Sequence, residues 1–200
     1  MHRWIVAATM LAICVVAPSS AQDREVSTTI LLLARTELRD PNFAGSVVVV
    51  LNNIGPAPAG LIVNRPTRVT VARLFPDIAS IAGRDDKVYF GGPVQVTSAV
   101  SFLFRSEVEP DNAARVLDGV YLSTDRKLLR DLLERDDPME GLRVFVGYSG
   151  WSRGQLEAEI ARGDWTLAPA DADALFGNAR ERPWPDNARD VQATSLGLSR

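Results

Sequence analysis

The chain has 200 residues, 46% of them hydrophobic and 24% charged, and a net charge of −3 at neutral pH. That is the composition of an ordinary globular protein about one domain long. It excludes a disordered polyelectrolyte, a fibrous repeat and a strongly basic nucleic-acid binder.

Arg3, a largely apolar run from Trp4 to Ala17 and the small residues Ser19-Ser20-Ala21 are laid out as a secretory signal peptide. The run is shorter than the roughly 20 apolar residues that a spanning helix needs. The expected organisation is a signal peptide at 1–21, a single α+β domain at 22–192 and a flexible tail at 193–200. The expected location is outside the cytoplasm, in the periplasm, after cleavage near Ala21, with no transmembrane span in the mature chain. Cleavage would remove His2 and Cys14, the only histidine and cysteine. A Ser-His-Asp machine, a Cys-His nucleophile, and zinc or electron-transfer sites built on these ligands would then be unavailable. No metal and no cofactor are expected.

In chain order, Ile30 to Leu33 reads as a short buried strand and Asp40-Pro41-Asn42 as a turn. Ser46 to Leu51 is β-branched and continuously apolar, the pattern of a strand buried on both faces. The loop Gly55-Pro56-Ala57-Pro58-Ala59-Gly60 leads to a returning strand at Leu61-Ile62-Val63, which makes a hairpin. Thr70 is placed to cap a short helix from Val71 to Phe75. Lys87 to Phe90 and Val100 to Phe104 are strands. Asp118-Gly119 is a two-residue hairpin turn between Val116-Leu117 and Val120-Tyr121-Leu122. Ser123 or Thr124 caps a helix running to about Arg135, with Asp125 in its first turn. Leu142 to Val146 is a strand, and Gly147 to Trp151 a tight connection. Arg153 to Arg162 is a helix closed by Gly163. Trp165 to Leu167 forms a last strand and Asp171 to Phe176 a last helix. Hairpins early and helices between strands later predict an α+β fold with a mostly antiparallel sheet.

Few fragments carry chemistry. Gly147-Tyr148-Ser149-Gly150-Trp151 has the strand-to-helix setting of a nucleophile elbow. However, Trp151 stands where that elbow needs glycine, and no histidine is left to activate Ser149. Thr124 and Lys127, one helical turn apart, are better read as surface residues. Gly91-Gly92-Pro93 and the Gly55–Gly60 loop match no phosphate-cradling fingerprint. Asp85-Asp86 and Asp136-Asp137 read as turns, and Asp171-Ala172-Asp173 as a helix start rather than a calcium loop.

An ordered series of fragments resembles one family. It runs from Asp40-Pro41-Asn42-Phe43 through the SVVVVL strand to Gly60-Leu61-Ile62-Val63-Asn64-Arg65-Pro66 and Phe90-Gly91-Gly92-Pro93-Val94. It continues through Gly147 to Trp151 and Gly154-Gln155-Leu156-Glu157-Ala158-Glu159-Ile160, then Trp165, Pro169-Ala170-Asp171 and Leu175-Phe176. This looks like the YqgE/AlgH family of bacterial proteins over about residues 30–190. The resemblance implies a compact α+β fold with an antiparallel, barrel-like sheet flanked by helices. It implies little chemistry, beyond a family label of transcriptional regulator. Members are usually without a signal peptide, so export of this chain would be a departure incompatible with direct regulation of transcription.

The leading functional reading is a non-catalytic binding or interaction module exported to the cell envelope, with an unknown small ligand or a protein partner and no nucleic acid. Its candidate ligand-binding residues are Asn42, Asn64, Arg65, Gly91, Gly92, Tyr148, Ser149, Trp151 and Gln155. Arg65 offers a planar fork for a carboxylate or phosphate, the glycines offer backbone N–H groups, and Tyr148 and Trp151 offer apolar faces. The alternatives are a transcriptional regulator-like factor and an enzyme that works through carboxylates.

Overall fold

The computed structural model describes residues 29–177 except 39 and 52–54. The signal peptide at 1–21, with His2 and Cys14, and the tail at 193–200 lie outside the described residues.

Two sheets carry the fold. The first joins β1 (Ile30–Ala34), β2 (Val47–Leu51), β3 (Ala59–Ile62), β10 (Ser149–Gly150) and β11 (Trp165–Pro169) in the order β10-β3-β2-β1-β11. The second joins β4 (Pro66–Thr70), β5 (Lys87–Phe90), β6 (Val100–Arg105), β7 (Ala114–Leu117), β8 (Val120–Ser123) and β9 (Leu142–Val146) in the order β4-β5-β9-β6-β8-β7. Among the described strands only the β5–β9 pair is parallel. The α+β class and the antiparallel bias therefore hold. The barrel-like part takes the form of two facing sheets that do not close on one another.

Strand alternation explains the layering. In β1 and β2, Leu31, Val47 and Val49 point into the space between the sheets, where they meet Leu103, Leu122 and Phe145 of the second sheet. Their neighbours Ile30, Leu32 and Val48 point the other way and pack under α3 (Gln155–Arg162) through Leu156, Trp151 and Trp165. This is why the first strands read as continuously apolar: both of their faces are covered. On the second sheet, Phe102, Phe104 and Val144 pack outward against Leu129, Leu132 and Leu133 of α2 (Arg126–Leu133) and Val71 of α1 (Val71–Leu74). Each fully buried Leu, Ile or Val contributes on the order of 2 kcal/mol. A last helix, α4 (Ala172–Phe176), adds Ala174 and Leu175 to the inter-sheet core.

Several local readings hold. Thr70 caps α1, Gly119 turns the β7–β8 hairpin at φ +68°, and Gly163 closes α3. Others are corrected. Asp125, not Ser123 or Thr124, caps α2: its Oδ1 accepts from Lys127 N–H at 2.8 Å and Leu128 N–H at 3.0 Å. Ser123 instead donates to the Asn112 carbonyl at 2.5 Å and accepts from Asp125 N–H. The helix stops at Leu133 rather than Arg135. The Gly147–Trp151 connection contains the two-residue strand β10, paired with Gly60 and Ala59. Strand β4 has no apolar run, so periodicity did not reveal it.

The cap carries a pH signature. Hydrogen bonds from Leu128 N–H first, then Lys127 N–H and Asn112, hold the Asp125 carboxyl below its ordinary 3.8. A carboxylate with a depressed folded pKa stabilises fully above its unfolded value, and that stability is lost as pH falls through the folded value. Asp125→Asn keeps a capping oxygen but cannot titrate. The variant is expected to lose less thermal midpoint than the wild type as pH drops below about 4, in circular-dichroism melts. Identical pH profiles would show that ionisation of Asp125 adds nothing to the cap.

Candidate functional site

The nine sequence-derived residues fall into three groups. Asn42, Asn64 and Arg65 form a clamp at the Val47 end of β2. Asn64 Oδ1 accepts from Val47 N–H at 2.9 Å, and its Nδ2 donates to the Gly45 carbonyl at 3.0 Å. Arg65 donates to the carbonyls of Asn42 at 2.6 Å and Ala44 at 3.0 Å, with its guanidinium 5.7 Å from the Phe90 ring centroid. The fork proposed for an anion is thus already engaged by the chain's own turn.

Gly91, Gly92 and Ser149 form a buried seam where two loops touch backbone to backbone. Gly91 N–H donates to Val146, and Val94 and Tyr148 exchange both backbone hydrogen bonds at 3.0 Å. A Cβ on Gly91 would lie 2.4 Å from the Gly147 carbonyl oxygen, and one on Gly92 would lie 2.3 Å from the Tyr148 carbonyl carbon. The glycines are required by this close approach. Ser149 is fully buried and its hydroxyl donates to the Gly91 carbonyl at 3.1 Å, so it braces the seam.

Tyr148, Trp151 and Gln155 do converge, on an open cleft of about 770 Å³ at the Leu51 end of β2. The prolines of the Gly55–Ala59 loop form one wall and the Val94–Ala99 segment another, with Leu61 and Leu122 also in the lining. Trp151 is held rigidly. Its Nε1 donates to Glu159 Oε2 at 2.9 Å, the same oxygen that accepts from Trp165 Nε1 at 2.9 Å. Gln155 Nε2 donates to the other Glu159 oxygen at 3.0 Å, and its Oε1 accepts from Ser152 N–H at 3.1 Å. Phe43 packs on both indoles, at centroid distances of 6.1 and 5.7 Å. One glutamate on α3 therefore fixes both Trp151 and Gln155 at the cleft.

No described residue lining the cleft is charged; its polar groups are the neutral side chains of Gln95, Ser101, Thr124, Tyr148, Ser152 and Gln155. Volumes of roughly 300–1,000 Å³ with apolar walls and a few polar groups are typical of small-molecule sites. Gln95, which also lines the cleft, is the one described non-glycine residue with positive φ, at +52°. A left-handed residue costs about 1–2 kcal/mol, and such strain gathers at functional sites. Gln95→Gly is expected to stabilise the fold by about 0.5 kcal/mol in urea unfolding, since relief of strain exceeds glycine's entropy cost of about 0.5–1 kcal/mol. Destabilisation would mean that the side chain holds the loop rather than serving the cleft. Among the described residues no three metal-ligating side chains converge.

A sequence profile described as DUF179, AlgH-like, matches residues 31–195. The chain belongs to the AlgH-like family. It is 36% identical over 164 residues to a UPF0301 protein of Myxococcus xanthus, covering 80% of this chain and 88% of that protein. It is 35% identical over 166 residues to the UPF0301 protein ML0028 of Mycobacterium leprae, covering 81% and 80%. The solution structure of the AlgH protein from Pseudomonas aeruginosa superposes with a TM-score of 0.61 at 29% identity, over 78% of this chain and 84% of that one. Protein DIP2367 of Corynebacterium diphtheriae shares the fold, with a TM-score of 0.61 at 24% identity over 80% and 88%. The family series thus acquires physical meanings in this chain. Asn64-Arg65 is the turn clamp, Gly91-Gly92 and Gly147 form the seam, and Trp151 and Gln155 line the cleft with Glu159 holding both from behind.

Proposed function

We propose that this AlgH-like protein is a non-catalytic binding module of the cell envelope whose ligand seats in the cleft beside Tyr148. The observation that carries the reading is the cleft's chemistry: apolar and aromatic walls, neutral hydrogen-bonding groups, no charged lining residue among those described, and a strained Gln95 at its edge. Such a surface suits a ligand with an uncharged, mainly apolar body. The engagement of Arg65 by Asn42 and Ala44 argues against an anion at the turn clamp.

A library of neutral aromatic and alicyclic fragments, screened by ligand-observed NMR, tests this. Fragments are expected to bind the wild type and to weaken about tenfold with Tyr148→Ala, which removes one aromatic face. No binders, or binders indifferent to that change, would sink the reading. Export rests on the leader-like pattern of residues 1–21. Intact mass of the protein from its native host is expected to show a chain beginning at Gln22; a chain beginning at Met1 in the cytoplasm would remove the envelope part of the proposal.

A further inference from the structure

A second, smaller cleft of about 390 Å³ adjoins the first and shares two lining residues with it, Ala99 and Thr124. Its character differs. Phe75 and Leu129 supply an apolar floor, Thr97, Ser98 and Thr124 supply hydroxyls, and Arg126 supplies the only charge in either lining. Thr124 is exposed, so it is a low ridge between the two spaces rather than a buried partition.

Arg126 stands apart from its neighbours on α2. Lys127 pairs with Asp131 at 2.8 Å, and Arg130 pairs with Asp77 and with Glu134 at 3.4 Å. The Arg126 side chain makes no hydrogen bond or ion pair among the described residues. It is the first residue of α2, at the end where the helix dipole favours negative charge. The nearest acid in sequence, Asp125, is already engaged: Oδ1 by the two α2 amides and Oδ2 by Asn112 Nδ2 at 2.9 Å.

We infer that the ligand is an anionic amphiphile, with an apolar body in the cleft beside Tyr148 and a carboxylate-type head that crosses Thr124 to Arg126. This rests on the proposed binding role of the cleft and adds the ligand's class and orientation. Arginine's planar fork matches a carboxylate with two parallel hydrogen bonds, and the hydroxyls of Thr97, Ser98 and Thr124 lie in the same lining to complete its shell. The first cleft offers a carboxylate no countercharge, so Arg126 sets the direction of binding.

Calorimetric titration of the full chain with decanoate and with decan-1-ol separates the two levels of inference. The wild type is expected to prefer decanoate, and Arg126→Gln to weaken decanoate about tenfold while leaving decan-1-ol unchanged. Acetate is expected not to compete, since it lacks the apolar body. Arg126 is exposed and unpaired, so equal thermal midpoints of the two proteins confirm that the variant is folded. Equal affinity for decanoate and decan-1-ol, or indifference of decanoate to Arg126→Gln, would overturn the anionic head and leave the cleft reading standing. Failure of both probes to bind would overturn the inference together with the cleft reading.

Discussion

Replacing Arg143 with methionine is expected to lower the stability of this fold by about 3–5 kcal/mol. Arg143 lies on β9, facing the space between the sheets, and is only 7% exposed. Its NH1 donates to the Val63 carbonyl at 2.9 Å, and its NH2 donates to Phe176 at 3.0 Å and Gly177 at 2.9 Å. The guanidinium also sits 4.3 Å from the Tyr89 ring centroid. Burial pushes its pKa below the ordinary guanidinium value, because desolvation disfavours the charged form. The charge is tolerated because three carbonyl oxygens and an aromatic face replace water. Two of those carbonyls are at the C-terminal end of α4, so a single side chain ties that helix to the second sheet. Methionine fills the volume but leaves the carbonyls without their donor. Arg143→Lys is expected to recover only part of the loss, since an ammonium cannot span the three acceptors in the same fork. Urea unfolding measures both; a methionine variant as stable as the wild type would show that water replaces the guanidinium without cost.

Gly92→Ala is expected to be comparably damaging, at about 2–6 kcal/mol. Gly92 has φ +150°, a region essentially reserved for glycine, which costs a substituted residue about 1–3 kcal/mol. Its Cβ would also lie 2.3 to 2.4 Å from the backbone of Tyr148 and Ser149, and backbone cannot swing aside as a side chain can. Overpacking of this kind adds about 1–3 kcal/mol. Gly154→Ala is the control. Gly154 has φ +80° with nothing within 4 Å of its notional Cβ, so only the backbone strain of about 1–2 kcal/mol applies. Equal losses in the two variants would show that the seam opens easily. Because the seam lies beneath Tyr148, such an opening would also change the floor of the cleft.

Val47–Leu51 was legible because a strand covered on both faces is continuously apolar and β-branched. Val47–Leu51, Lys87–Phe90 and Leu142–Val146 were readable almost to the residue. The Asp118-Gly119 turn was readable because a two-residue hairpin demands that chemistry. Strand β4 was not, because Pro66–Thr70 is half-exposed and mixes proline, arginine and threonine. The split into two facing sheets was also hidden, since local pattern does not record which strands pair. At the site, the aromatic rim was legible from Tyr148 and Trp151. The engagement of Arg65 was not legible, because the Asn42 and Ala44 carbonyls in its fork lie more than 20 residues away in the chain. Arg143 gave no sequence signal because a lone charge in LRVFV looks like the solvent side of a strand. Gln95 gave none because its strain is a backbone property.

On the proposed reading, a ligand seats in the cleft at the Leu51 end of β2 and not at the turn clamp at its Val47 end. Backbone amide shift mapping of the full chain, titrated with a bound neutral fragment, tests it most directly. Shifts are expected to concentrate at Gln95, Ala99, Thr124, Tyr148 and Gln155. Shifts concentrated instead at Asn42, Asn64 and Arg65, with the cleft residues unmoved, would contradict it.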